Sequence, residues 1–195
     1  MRVFRHTLRG RDGWLLLGSL LLVTACAPLP PKETAATQAV DCDAVWRLRG
    51  RIALRRGNES ETIMLEWQHR AAQDKLKFSG PLGQGILNLT VTGQHVVVDR
   101  GDGKLEFSDA ADQWLQTQFG FDLPVAALRY WACGLPYPRW SHHAVDQGFV
   151  QNDWLVTYAK FNEREGWRWP GLIAAMQPGL SVKLAIDDWV VDHER

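Results

Sequence analysis

Few residues of this 195-residue chain combine the type and spacing that chemistry needs. Asp187 and Asp188 are adjacent carboxylates, and His142 and His143 are adjacent imidazoles. Neighbours on an extended strand point to opposite faces, so neither pair converges on one proton or one metal ion. No Gly-x-Ser-x-Gly, His-Glu-x-x-His, Gly-x-x-x-x-Gly-Lys-Ser/Thr or Gly-x-Gly-x-x-Gly string occurs. We therefore expect no catalytic residue, no metal and no enzyme. Three cysteines, Cys26, Cys42 and Cys133, fit neither a zinc set nor a disulfide framework. The remaining candidates are apolar. There are ten tryptophans but only three tyrosines, and Leu82 stands between Pro81 and Gly83 in a turn. Apolar residues are 46% and charged residues 23% of the chain, a globular composition. The 22 basic and 22 acidic residues give no excess to attract nucleic acid.

Cys26 has a context of its own. Arg2, Arg5, Arg9 and Arg11 precede an apolar run of ten, Trp14 to Val23, and the small residues Thr24 and Ala25 follow. The run is too short to span a bilayer and suits a secretory signal. Leu22-Val23-Thr24-Ala25-Cys26 resembles the lipobox of bacterial lipoproteins. That resemblance implies cleavage before Cys26 and an N-acyl diacylglyceryl group on it. Residues 1–25 hold four arginines and one aspartate, so the remainder has 18 basic and 21 acidic side chains. A mildly acidic body gains no hold on anionic lipid from its charge, whereas two or more acyl chains anchor stably. Ala27 follows the cysteine, where aspartate would signal inner-membrane retention in lipoproteins of Gram-negative bacteria. By that resemblance the destination is the outer membrane.

The elements behind these candidates follow from periodicity. Residues 26–44, rich in Pro, Ala and Thr, read as an acylated start and flexible tether, and ordered structure is expected from about Val45. From there Trp46, Leu48, Ile52 and Leu54 alternate with Arg47, Arg49, Arg51 and Arg55, a strand with one apolar and one wet face. Strands are expected near 61–69, 74–79, 86–92, 95–100 and 105–107. Then the period changes. Asp109 can cap a helix over 110–119 with Ala111, Trp114, Leu115 and Phe119 on one face, and Pro124 opens a second with Val125, Leu128 and Trp131. Strands resume near 145–150, 153–161, 169–176, 180–186 and 189–191, with Pro170 marking a possible edge. About nine to eleven antiparallel strands tend to curl. The two helices are too short to stand alone and must pack on the sheet. An apolar cavity under a helical lid is a natural outcome, with Trp114 and Trp131 facing it.

Leu48-Arg49-Gly50-Arg51-Ile52-Ala53, Leu65-Glu66-Trp67-Gln68, Gly80-Pro81-Leu82-Gly83, Asp122-Leu123-Pro124-Val125, Leu128-Arg129-Tyr130-Trp131, Gly134-Leu135-Pro136, and Val182-Lys183-Leu184-Ala185-Ile186 with Trp189 occur in this order. By these segments the chain resembles the LolB family. They cover nearly all of 45–191. The resemblance implies an incomplete, strongly curved antiparallel barrel whose helices close an apolar cavity. It also implies a monomer in the outer membrane, facing the periplasm, that accepts lipoproteins from a LolA-type carrier and inserts them into the inner leaflet. Its partners would be that carrier, the acyl chains of lipoproteins and outer-membrane phospholipid. By the same resemblance Pro81, Leu82 and Gly83 are a protruding loop that enters the membrane.

Physical chemistry constrains such a role. Each methylene exposed to water costs about 0.8 kcal/mol, so a triacylated cargo needs cover throughout transfer. Without a nucleotide motif the transfer must run downhill. The cavity wall is expected from Trp46, Leu48, Ile52, Leu65, Trp67, Phe78, Leu87, Leu89, Phe107, Trp114, Leu115, Leu128, Trp131, Leu184 and Ile186, although the same residues could simply fill a core. The arginine face could meet an acidic carrier rim or lipid head groups, or be a solvated face that blocks aggregation. Cys42 and Cys133 could pair in an oxidising periplasm, or Cys133 could be a small buried hydrophobe. The competing function is a scaffold lipoprotein of an envelope complex, with no lipid transfer.

Overall fold

A computed structural model describes residues 37–85, 87–119 and 124–192. The acylation motif around Cys26, and Phe119's side chain as a helix-face residue, lie outside what is described. The strands are β1 (Gln38–Ala39), β2 (Trp46–Arg56), β3 (Glu59–Arg70), β4 (Gln73–Ser79), β5 (Leu87–Thr92), β6 (His95–Asp99) and β7 (Leu105–Ser108). Two helices follow, α1 (Ala111–Phe119) and α2 (Val125–Ala132). The chain then forms β8 (His142–Val145), β9 (Gly148–Gln151), β10 (Trp154–Arg164), β11 (Trp167–Gln177) and β12 (Leu180–Val191). Eleven strands make one sheet in the order β7-β6-β5-β4-β3-β2-β12-β11-β10-β9-β8, and β1 adds a short parallel pairing to β11. Neighbours on the eleven-strand path are antiparallel. The sheet stays open, with β7 and β8 as its edges.

The alternation of β2 shows how this sequence curls the sheet. Trp46 and Leu48 are buried while Arg47, Arg49 and Arg51 are exposed, so one face turns inward along the whole strand. Trp46, Leu48 and Ile52 pair across to Val191, Trp189 and Leu184 of β12, whose inward residues continue the wall. Gly50 sits opposite Ile186, where β12 shifts register, and a Cβ there would run into the Ala185 carbonyl. Glycine is thus required by the close approach of two strands at a bulge, which sharpens the local twist.

The registers give the sheet two ends. At the tip end lie the turns after β2, β4, β6, β9 and β11. At the root end lie the turns after β3, β5 and β10, together with the start of β2 and the end of β12.

Three local expectations are corrected. Packed structure begins before Val45, because Val40 and Cys42 are buried and β1 pairs with β11. Asp109 does not cap α1: its carboxylate bonds His95 at 2.7 Å, and Ser108 Oγ accepts the Ala110 N–H instead. Pro170 is not on an edge, since β11 lies between β10 and β12. Pairing to β12 spans only Leu172–Gln177, so Pro170 lies where the two strands have parted, beside a register shift in β10. A missing N–H costs no ladder bond there. The end of α2 follows its residue types: Gly134 has φ +89°, and the N–H groups of Gly134 and Leu135 reach the carbonyls of Trp131 and Tyr130, a Schellman closure.

Candidate functional site

The inward face is filled unequally along its length. At the root end it is solid. Trp46 is fully buried, with ring centroids 5.5 Å from Trp67, 4.7 Å from Trp189 and 5.3 Å from His69. Most polar groups there are paired, the Trp189 indole N–H and Arg129 Nε being the exceptions among the described residues. The Trp46 indole donates to the Cys42 carbonyl at 3.2 Å, and the Trp67 indole donates to Asp74 Oδ1 at 2.9 Å. Asp74 also bonds the fully buried His69 at 2.9 Å. Arg129 of α2 closes this cluster from above, with Nη1 4.0 Å from Asp74 Oδ2 and 3.4 Å from His69 Nε2. A disulfide between Cys42 and Cys133 ties the start of the packed chain to the end of α2.

Toward the tip end the same face opens. Ile52, Leu54, Ile63 and Leu184 point inward yet are only half-buried. Between them and the helices lies a cavity of about 70 Å³. Its wall is apolar throughout: Ile52 and Leu54 of β2, Ile63, Leu65 and Trp67 of β3, Leu76 and Phe78 of β4, Leu89 of β5, Val182 and Leu184 of β12. Leu115 of α1 with Val125 and Leu128 of α2 form its roof.

Of the residues expected in this wall, the structure places Ile52, Leu65, Trp67, Phe78, Leu89, Leu115, Leu128 and Leu184 on it. Trp46, Leu48 and Ile186 face inward but are packed into the core without lining the cavity. Leu87 and Trp114 are half-buried against that core. Trp131 does not face the cavity: its ring lies 5.7 Å from Trp154, and its indole donates to the buried Gln151 at 3.0 Å. Phe107 is a clear correction, being 72% exposed. It pairs with Val97 on the outward face of β6, while Val96 and Val98 point in. Leu54, Ile63, Leu76, Val125 and Val182 were not anticipated, although the first three and Val182 share the inward alternation of their strands.

Leu82 stands at the tip end in the β4–β5 turn and is 92% exposed. Gly80 N–H to the Gln84 carbonyl and Gly83 N–H to the Gly80 carbonyl, both 2.8 Å, fold this turn on itself and leave the leucine outside. Gly83 has φ +80°, a conformation that side chains other than glycine rarely adopt. On the arginine face, Arg51 makes a two-point bond to Asp187 and Arg47 pairs with Asp192, so half of that face is engaged within its own sheet. Among the described residues no helix is long and apolar enough to cross a membrane, and no metal-binding cluster is present.

Comparison with known proteins gives a consistent result. A family model described as "Outer membrane lipoprotein LolB" matches residues 44–189. A protein named outer-membrane lipoprotein LolB from Nitrosococcus oceani is 29% identical over 191 residues, covering 90% of this chain and 95% of its own. One of the same name from Stutzerimonas stutzeri is 31% identical, covering 87% of this chain and 90% of its own. Among solved structures, a LolA superfamily protein from Nitrosomonas europaea superposes with a TM-score of 0.50 at 9% identity, over 83% of this chain and 92% of that one, a likeness of fold.

Proposed function

The chain belongs to the LolB family of outer-membrane lipoproteins, which are not enzymes, and on that premise we propose that it accepts lipoproteins from a LolA-type periplasmic carrier and delivers them to the inner leaflet of the outer membrane. It acts as a monomer, held there by an N-acyl diacylglyceryl anchor on Cys26, and takes cargo by its acyl chains. The observation that carries the reading is the apolar cavity opening at the same end of the sheet as the exposed Leu82. A wall without a polar side chain offers an acyl chain contact everywhere and a fixed orientation nowhere, which suits cargo of variable sequence.

The cavity volume bears on mechanism. An engineered apolar cavity of about 150 Å³ takes up one benzene. The 70 Å³ here holds a fragment of one acyl chain, so loading requires the roof to move. Transfer then proceeds by affinity: from the carrier's cavity into this one as the roof lifts, and from here into the bilayer, where hydrocarbon is covered best. Pro81, Leu82 and Gly83 enter the membrane and bring the open end to the surface.

The test loads a carrier with labelled lipoprotein, mixes it with this protein, and follows the label to liposomes. Cargo reaches the wild type, and Leu82→Glu still accepts it but delivers it about tenfold more slowly or worse, a loss of 1.4 kcal/mol or more at the surface. Failure of the wild type to take up cargo overturns the reading. Unimpaired delivery by Leu82→Glu removes the loop from it.

A further inference from the structure

The edge strand β7 is unusual in what it shows to solvent. Natural sheet edges carry charge or are covered. Here the two outward residues are Leu105, 55% exposed, and Phe107, 72% exposed, and they lie beside half-buried Val97 of β6. The patch has a definite place. Leu105 pairs with Asp99, which pairs with Asn88, which pairs with Lys77. Leu105 is therefore one rung in from Phe78–Leu87, the last pair before the β4–β5 turn that carries Leu82. From β5 to β7 is two strand spacings, about 10 Å, and Phe107 lies two residues, about 7 Å, further from the tip. The three most exposed large apolar side chains among the described residues, Leu82, Phe107 and Leu105, thus share one corner of the molecule.

The charges around that corner are compatible with a lipid surface. Lys75 and Lys77 project from the same outward face of β4, and Lys104 ends the turn into β7. None of these ammonium groups is in an ion pair among the described residues. The nearby acids are Glu66, directly opposite Lys77, and Asp99 and Asp102, which accept the N–H groups of Gly101 and Lys104, while Glu106 pairs with Arg100, so lysines and acids balance around the apolar pair. Exposed apolar side chains continuous with the Leu82 corner, with lysines that offset the local acids and can reach head-group phosphates, match a bilayer interface. A second copy fits less well, since a four-residue edge buries far less than the roughly 1,000 Å² of a specific interface.

We infer that Leu105 and Phe107, with Lys75, Lys77 and Lys104, form a second lipid-contacting patch, so that the protein rests on the membrane tilted onto its β7 edge rather than touching it through the Leu82 turn alone. This rests on the reading that the Leu82 turn enters lipid, and it adds an orientation. Tilting toward β7 brings α1, the next element in the chain, down to the bilayer with the patch.

The test uses the full acylated chain in liposomes of phosphatidylethanolamine and phosphatidylglycerol at 3:1. With Cys26 acylated and Cys42 bonded to Cys133, Phe107→Cys supplies one thiol for an environment-sensitive fluorophore. Matching probes are placed at Leu82→Cys and, on the opposite edge strand β8, at Val145→Cys. Lipid carrying a shallow quencher dims the probes at 82 and 107 at least threefold and leaves 145 unchanged. A probe at 82 in lipid with 107 in water overturns the patch and spares the turn. Neither probe in lipid overturns both. A probe at 107 shielded without lipid, with doubled mass in detergent, overturns the patch in favour of a second copy. In delivery assays Leu105→Ser with Phe107→Ser slows release to liposomes three- to tenfold and leaves uptake from the carrier unchanged; slowed uptake with normal release overturns the inference.

Discussion

The two helices that roof the cavity are of similar length and differ in how they are held. α2 buries Val125, Ala127, Trp131 and Ala132. Arg129 sits over the Asp74–His69 cluster, the Trp131 indole is bonded to Gln151, and the Tyr158 hydroxyl donates to the Trp131 carbonyl at 3.1 Å. Burial pushes the Tyr158 pKa well up, so that donor stays protonated at any physiological pH. Cys133, just past the helix, is bonded to Cys42. Among the described side chains of α1, Ala111 and Leu115 are buried. Trp114 packs half-buried against the core, Ala111 donates a backbone bond to Gln94, and the exposed Arg100 bonds Gln118 at 2.7 Å and lies 5.8 Å over the Trp114 ring. Regions with few buried contacts open at low cost, and regions with many open only with the whole fold. If loading lifts the roof, as proposed above, this difference predicts that α1 is the part that lifts and α2 the fixed wall.

The largest expected effect breaks the wall. Trp131→Ala removes a fully buried indole from a packed site and costs about 3–5 kcal/mol. Trp114→Ala on α1 removes a half-buried ring and costs about 1 kcal/mol. Urea unfolding of both variants measures the gap, and equal losses would end the distinction between the helices.

The next effect is that of the disulfide. It closes a loop across 91 residues, and its removal by Cys42→Ser with Cys133→Ser costs about 2–4 kcal/mol. Amide exchange sharpens the comparison. Protection falls along α2 and at Val40 and Cys42, while α1 exchanges as before. Loosening spread evenly over both helices would show that the roof moves as one piece.

The contrast between the helices also marks what could be read from sequence. The sheet was legible because β2 alternates along its length and β12 from Leu180 to Ile186, and the helices because Ala111 with Trp114 and Leu115, and Leu128 with Trp131, recur at helical spacing. Period, however, distinguishes in from out and says nothing of height along a strand. Trp46 and Ile52 share a face, yet one closes the root and the other lines the cavity. The face of Phe107 was illegible because β7 has four residues and little burial on either side to fix its phase. The solid root depends on contacts remote in sequence: Arg129 over Asp74, and Cys42 against Cys133. One local signal did exist. His69 falls in register with Leu65 and Trp67 on the inward face of β3, and an inward histidine demands a polar partner.

The smallest expected effect bears most directly on function. Arg100 is the outer fastening of α1, and its contacts to Gln118 and Trp114 are exposed. Exposed contacts of this kind are worth about 0.5–1 kcal/mol, so Arg100→Ala leaves global stability nearly unchanged. If α1 is the lifting part, the same loss falls on its closed state alone and raises the open population about two- to fivefold. Uptake of a fluorescent fatty acid, limited by opening, then speeds up by that factor. Arg129→Met makes the counter-experiment. It strips the charge from α2 above a buried carboxylate and destabilises the fold, yet it leaves uptake by the surviving folded protein at the wild-type rate, because it frees no part of α1. Faster uptake in Arg129→Met with none in Arg100→Ala would invert the assignment and make α2 the gate.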